Sequence, residues 1–219
     1  MHGFDLEFVK GSTEGILLWF CTKNPCLSAS SGTVRSTSLP SHEPFKTPRP
    51  KKITSNDELS LFYNAHRYTD DCLKEYMHDL KKAGFWDNSL VIILGDHGPT
   101  AKSKIEDFAI PMIWTGGAID TTFNQTKTTS QTDLMPTLLA QLGLDARAFT
   151  FGKNALSAQG SEWAFFAFNN GIGYVNKDNA VVFDNAGKRV IEQSGKNPGP
   201  TVEVARRVQQ AVVGDYLGR

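Results

Sequence analysis

Asp96 and His97 stand side by side, with Gly95 before them and Gly98 after them, where the apolar run Leu90-Val91-Ile92-Ile93-Leu94 stops. A carboxylate and an imidazole both ligate divalent cations, and the mixed oxygen and nitrogen donors suit zinc or manganese. On a regular strand neighbouring side chains point to opposite faces and do not share an ion. Just past a strand end, the flanking glycines let the backbone turn so that both side chains face one site. Open α/β sheets place their ligands at the carboxyl ends of strands, which is where this pair falls. The same residues also fit a plain strand-to-loop turn, with Asp96 capping the next segment and His97 exposed. Spacing alone leaves both readings standing.

The elements around the pair are legible from periodicity. The run 90–94 reads as a strand buried on both faces, the pattern of a parallel sheet. Upstream, Ser55 and Glu58 have capping-box spacing, with Asn56 and Asp57 favouring a helix start. Leu59, Phe62, Ala65, Thr69, Cys72, Leu73, Tyr76, Met77 and Leu80 then keep helical spacing as far as Gly84, a natural stop. Trp86-Asp87-Asn88 turns the chain into the strand, so helix, turn and strand read as half of a βαβ crossover. Residues 99–107 read as a polar loop beside the site. A second buried strand is expected over 109–115, with Pro111 marking an irregular or edge position.

A short helix follows Ser130-Gln131-Thr132-Asp133, with Thr132 or Asp133 as its cap and Pro136 in its first turn. Segments 163–168, 172–176 and 180–183 alternate with Asn- and Gly-rich turns and read as a small antiparallel meander. A terminal helix is expected over 201–217, with Val202, Val204, Ala205, Val208, Ala211 and Val212 as its apolar positions. Residues 1–35 show neither helix nor strand period and read as an irregular or non-native segment.

The 219-residue chain is long enough for one sizeable domain, and its 40% apolar and 21% charged residues are ordinary for a globular protein. The 23 acidic and 23 basic residues cancel, so nothing in the charge favours nucleic acid or an anionic membrane surface. Cys21, Cys26 and Cys72 are an odd set with neither zinc spacing nor a disulfide framework, and Cys72 falls at a helix core position. Gly15 to Phe20, the most membrane-like stretch, is too short for a span or a signal-peptide core, so neither is expected in this chain.

Several segments together resemble one family, the lipoteichoic-acid-synthase-like, sulfatase-type branch of the alkaline phosphatase superfamily. They are Ser41-His42-Glu43-Pro44-Phe45, then Phe62 to Asp70, Gly95-Asp96-His97-Gly98, Ile110-Pro111, Ser130 to Leu139, Phe151-Gly152-Lys153, and Tyr174-Val175 ahead of Val181 to Asp184. The resemblance implies an α/β fold: an alkaline-phosphatase-like sheet flanked by helices, here its C-terminal half, then the antiparallel meander and the terminal helix. Residues 36–192 would be the C-terminal part of the catalytic domain, and 193–219 a linker and helix. It also implies a metal-dependent phospho- or sulfo-ester hydrolase, or a phosphoglycerol-type transferase. Asp96 and His97 match metal ligands, with manganese the favoured ion and magnesium, calcium or zinc as alternatives. His42 matches the histidine over the substrate head group. The partner implied is a phosphate or sulfate ester, including a lipid head group, on a full-length protein that is membrane-anchored with its catalytic domain outside the cytoplasm.

The departures from that pattern bear on activity. The family's nucleophile, a Thr, Ser or formylglycine, belongs with an acidic ligand on strands of the N-terminal half. No catalytic nucleophile is identified here: Cys21 and Cys26 lack the formylglycine motif, and Thr33, Ser36 and Thr37 align with the strand that leads to His42. The sequence is therefore expected to be an incomplete fragment, the alternative being a non-catalytic relative that binds a metal or an anionic head group. Asp70 has no assigned role. Asp133 reads most simply as a helix cap, Gln131 as a loop residue, and His2, His66, Arg67 and His78 as surface residues.

Overall fold

The computed structural model describes residues 16–22, 35–38, 44–98 and 103–218. They fall into two compact units: the chain as far as His97 with Ile110–Thr122, and Gly98–Ala109 with the chain from Phe123 onwards.

The first unit is built on a four-stranded sheet and one long helix. Strands β1 (Ile16–Thr22), β2 (Arg35–Ser38), β3 (Ser89–Leu94) and β4 (Met112–Thr115) lie in the order β2-β1-β3-β4. β3 is central, as its apolar run requires: Val91, Ile92 and Leu94 are each 1% exposed. Its neighbours β1 and β4 both run antiparallel to it. The parallel sheet expected from the apolar run is thus corrected for the described strands. A continuous apolar run reports burial on both faces, and strand direction depends on connections that the run does not encode. Ile16–Thr22 also forms a strand where the sequence shows no strand period.

Helix α1 (Glu58–Lys82) covers one face of β3, with Leu73, Tyr76, Leu80 and Trp86 packed around Val91. Its N-cap is Asp57, whose carboxylate accepts from the Ser60 amide at 2.9 Å and the Ser60 hydroxyl at 2.7 Å. The Ser55–Glu58 capping box is corrected accordingly: Ser55 instead donates its hydroxyl to Asp57. Gly84 stops the helix at φ +76°, a backbone conformation open to glycine. A 3-10 turn, Trp86–Asn88, feeds β3 as expected. The strand after Pro111 is shorter than expected, Met112–Thr115, and pairs with β3 alone at the edge of the sheet.

The second unit carries another four-stranded antiparallel sheet, of β5 (Trp163–Phe168), β6 (Gly171–Asn176), β7 (Asn179–Asp184) and β8 (Arg189–Gly195) in chain order. The sequence reading found three of these strands and missed β8. Helix α4 (Gly199–Leu217) packs on one face, with Ala205 fully buried against Ile172, Tyr174 and Val181. It begins slightly before the expected 201, and Val204 is 41% exposed, off the buried stripe it was assigned to. The opposite face takes α2 (Lys104–Asp107), a single turn within the expected polar loop, and Phe108 stacks on Phe166 at 4.5 Å. Helix α3 (Leu134–Gln141) follows a 3-10 turn over Gln131–Asp133.

Candidate functional site

Asp96 and His97 sit immediately beyond the carboxyl end of β3, the central strand of the first sheet, and both are exposed. The turn is closed by two kinds of backbone contact. The Gly95 amide donates to Pro111 O at 3.3 Å, extending the β3–β4 ladder by one step. The Asp96 carboxylate accepts from the His97 amide at 2.9 Å, which folds the Asp96 side chain toward the residue that follows it. Gly98 then leaves the turn with its amide on Asp107 O at 2.5 Å. A Cβ at Gly98 would lie 2.9 Å from Asp107 O and 3.0 Å from Glu106 O, so only glycine fits this close approach.

This geometry suits the two donors. An exposed carboxylate and an exposed imidazole on consecutive residues of a turn can reach toward one ion, which the same residues inside β3 could not do. Among the described residues no group of three or more His, Cys, Asp or Glu side chains is gathered in metal-binding geometry. The pair is therefore at most a partial ligand set within the residues described. His42 lies outside the described residues. Of its motif, Phe45 is described: its backbone is left-handed at φ 54° and its ring meets Phe62 edge-on at 5.6 Å.

The remaining polar residues of the family-like segments fall into two classes. His66, Arg67, Asp70 and His78 are exposed on α1, as expected for surface residues. His66 Nδ1 lies 2.9 Å from Phe62 O, and its ring packs on Phe62 at 3.9 Å. A groove of about 600 Å³ runs beside this side of the helix, lined among others by Arg49, Lys52, Arg67, Lys74 and Glu75. In it the Arg49 guanidinium hydrogen-bonds Glu75 at 2.6 Å and holds that carboxyl below its usual range. Both partners are exposed, and the pair contributes little to stability.

Asn64 and Asp133 behave differently: the sequence showed nothing of Asn64's role, and of Asp133's only the cap, which it makes in a capping box with Ser130. Asn64 is 6% exposed and satisfies its whole amide. Its oxygen accepts from the Lys52 and Ile53 amides at 2.9 and 3.0 Å, and its nitrogen donates to Ile53 O and Ser60 O, each at 2.9 Å. Beside the Arg49–Glu75 and Phe45–Phe62 contacts, this side chain pins the segment ahead of α1 to the helix through three hydrogen bonds. Asp133, expected to be a simple cap, is 2% exposed and forms an ion pair with Lys153 at 2.5 Å. Its carboxylate also takes the Ser130 and Lys153 amides at 2.8 and 2.9 Å. Lys153 Nζ donates onward to Trp163 O at 2.6 Å, and the Ser130 hydroxyl donates to Phe165 O at 3.2 Å. Two carbonyls on the outer edge of β5 are covered in this way. The usable signal was Gly152-Lys153 downstream of an Asp that opens the apolar run Leu134-Met135, which spacing alone does not turn into a pair.

The family model described as "Sulfatase" matches residues 23–144, more than half of the chain. Lipoteichoic acid synthase 1 of Bacillus subtilis is 26% identical over 183 residues, covering 69% of this chain and 28% of that one. Lipoteichoic acid synthase of Staphylococcus aureus is 26% identical over 166 residues, covering 64% and 25%. Among solved structures, a protein of the alkaline phosphatase superfamily from Vibrio parahaemolyticus superposes with a TM-score of 0.64 at 23% identity, over 82% of this chain and 48% of that one. The lipoteichoic acid synthase LtaP from Listeria monocytogenes gives 0.62 at 19% identity, over 83% and 53%. The chain thus spans about a quarter of the length of the curated relatives and about half of the solved neighbours.

Proposed function

The chain belongs to the sulfatase family, and from that premise we propose that it supplies the Asp96–His97 end of a metal-dependent site for phosphate or sulfate esters, in a hydrolase or phosphoglycerol-type transferase. The observation that carries the reading is the exposed Asp96–His97 turn at the carboxyl end of the central strand, inside the matched span. The donor set fits the role: one carboxylate and one imidazole are suitable partners for manganese, magnesium, calcium or zinc, with manganese first. A bound divalent ion supplies Lewis acidity toward the ester's non-bridging oxygens and lowers the pKa of a nucleophile.

The chain's own residues bind and orient. The Asp96 carboxylate and His97 imidazole hold the ion, and the Gly95 and Gly98 backbone bonds fix the turn that presents them. For His42, which lies outside the described residues, the family resemblance alone supports a hydrogen bond to the ester head group. The substrate class in this reading is a phosphate or sulfate ester, including the head group of a lipid in a membrane-anchored full-length protein. No helix among the described residues is long and apolar enough to cross a membrane.

The test is manganese titration of the purified 219-residue chain by calorimetry, beside the Asp96→Ala/His97→Ala variant. Binding is expected to be weak, since tight sites use three or four protein ligands, and the double substitution is expected to reduce it by about tenfold or more. Both side chains are exposed, so the variant should melt with the wild type. Equal manganese affinity in the two proteins would overturn the metal assignment.

A further inference from the structure

The segment ahead of α1 forms a loop along that helix, tied at both ends near one turn and once more at its tip. At one end the Phe45 ring meets Phe62 edge-on. At the other, the Lys52 and Ile53 amides donate to the buried Asn64, which returns a hydrogen bond to Ile53 O. Phe62 and Asn64 lie in the second turn of α1, whereas the tip, Arg49, reaches Glu75 about three turns further along. Pro48 and Pro50 flank Arg49 and restrict the backbone on both sides of it, and the Thr47 hydroxyl donates to Arg49 O at 3.2 Å. The tip is stiff, but its latch is slight: one exposed ion pair at 2.6 Å, with the Tyr68 ring 5.4 Å from the guanidinium. An exposed pair is weak and screened by salt, so another anion can take the place of its carboxylate.

The groove of about 600 Å³ is walled by Arg49 and Lys52 on the loop side and by α1 on the other. The helix wall carries Arg67 and Lys74, seven residues apart and therefore on one face. The charged ends of Lys52, Arg67 and Lys74 make no hydrogen bond or ion pair among the described residues. Of the carboxylates in the wall, Glu75 is taken by Arg49, which leaves Asp71 and Asp79 against three unpaired cations. Among the described residues no three His, Cys, Asp or Glu side chains are gathered in metal-binding geometry, so these carboxylates do not make a cation site. A phosphate or sulfate group suits the wall better. It is tetrahedral, its oxygens accept from several cations at once, and a guanidinium meets two of them together.

We propose that this groove binds the oxyanion of a phosphate or sulfate group, held by Lys52, Arg67 and Lys74, with Arg49 passing from Glu75 to the bound anion. Asn64 anchors the loop throughout, and Arg49 is the part that changes partner. The site shares no lining residue with the Asp96–His97 turn and needs no divalent ion, so it does not rest on the metal reading above. A free ester and a lipid head group present the same oxyanion, and the source is left to the experiment.

The test uses the full 219-residue chain, freed of divalent ions by a chelator and kept at constant ionic strength. Inorganic phosphate is titrated while amide NMR shifts are followed in residues 45–53 and along α1. Three variants run beside the wild type: Arg67→Ala/Lys74→Ala, Glu75→Gln, and Lys177→Ala/Lys196→Ala as a control outside the groove. All of these side chains are exposed, so the variants should melt with the wild type. Arg67→Ala/Lys74→Ala is expected to weaken phosphate binding by about tenfold, in line with the loss of charge-assisted bonds, and the control to leave it unchanged. Glu75→Gln removes the carboxylate that competes for Arg49 and is expected to tighten binding severalfold. Cosedimentation with phosphatidylglycerol vesicles, against phosphatidylcholine, identifies the source. Vesicle binding that phosphate displaces and Arg67→Ala/Lys74→Ala loses supports a lipid head group, whereas phosphate binding without vesicle binding supports a free ester. No shifts on adding phosphate, or equal weakening in the groove and control variants, would overturn the site. Unchanged or weaker binding in Glu75→Gln would overturn the exchange of partners at Arg49.

Discussion

Asn64 and Asp133 are the side chains on which single substitutions should cost most. Asn64→Ala leaves the Lys52 and Ile53 amides and two carbonyls without the buried partner that holds this exposed segment to the helix. A loss of about 2–3 kcal/mol is expected in urea denaturation, from the desolvation of unpaired backbone groups. Asp133→Ala strands the Lys153 ammonium, whose side chain is 15% exposed, beside the Trp163 ring. Breaking one partner of a buried pair costs about 3–5 kcal/mol, whereas replacing both with apolar residues of similar volume costs far less. Asp133→Leu/Lys153→Met should therefore be more stable than Asp133→Ala when both are unfolded in urea. A single Asp133→Ala as stable as wild type would mean that the pair is solvated in solution. The sequence marked Asp133 as a polar residue at a helix start and could go no further, because its partner lies twenty residues away on a different segment.

At the scale of elements, the start of α1 and the face of the second sheet carry distinct expectations. Hydrogen bonds from Ser55 and then Ser60 pull the Asp57 carboxyl down from the ordinary carboxylate range to about 2. A depressed carboxyl contributes stability that is complete above its unfolded value and fades as pH falls toward the folded one. The helix signal in far-UV circular dichroism should hold from neutrality to about pH 4 as far as this cap is concerned, and the cap's share should be lost between there and about pH 2. Asp57→Ala should remove that acid-dependent component while leaving the rest of the titration unchanged. In the second sheet a Cβ at Gly173 would overlap the Phe166 ring, which is already stacked on Phe108. Gly173→Val is expected to cost about 1–3 kcal/mol through overpacking, read by thermal unfolding. The same sheet shows why β8 escaped the sequence reading. Its alternation is interrupted at Ile191, so a period-two pattern restarts mid-strand and the polar residues Glu192, Gln193 and Ser194 look like loop. Helices α1 and α4, by contrast, showed in their helical spacing, and α1 in its glycine stop.

At the scale of the whole molecule, the decisive question is what the chain does alone. It carries a matched sulfatase span and an exposed ligand pair, but the sequence shows no hydroxyl nucleophile with an acidic ligand upstream. The purified chain with manganese or zinc is therefore expected to leave p-nitrophenyl phosphate and p-nitrophenyl sulfate unhydrolysed, since no covalent intermediate can form without a nucleophile. Metal-dependent turnover that Asp96→Ala/His97→Ala abolishes would show that a nucleophile in residues 1–40 had gone unrecognised.

What the sequence determined by itself was local or pattern-bound. It located α1, the 3-10 turn and β3 by periodicity, the meander by its turn residues, and the family by ordered motifs that the sulfatase match bears out. The tertiary structure alone decided the rest. Strand direction in the first sheet, the burial of Asn64 and Asp133, and the reach of Glu192 to Ser103 depend on which distant segments meet. Hydrophobic periodicity encodes which face is buried, because burial follows from each residue's own transfer free energy. A hydrogen bond or ion pair depends on two residues arriving together, and that is a property of the folded chain.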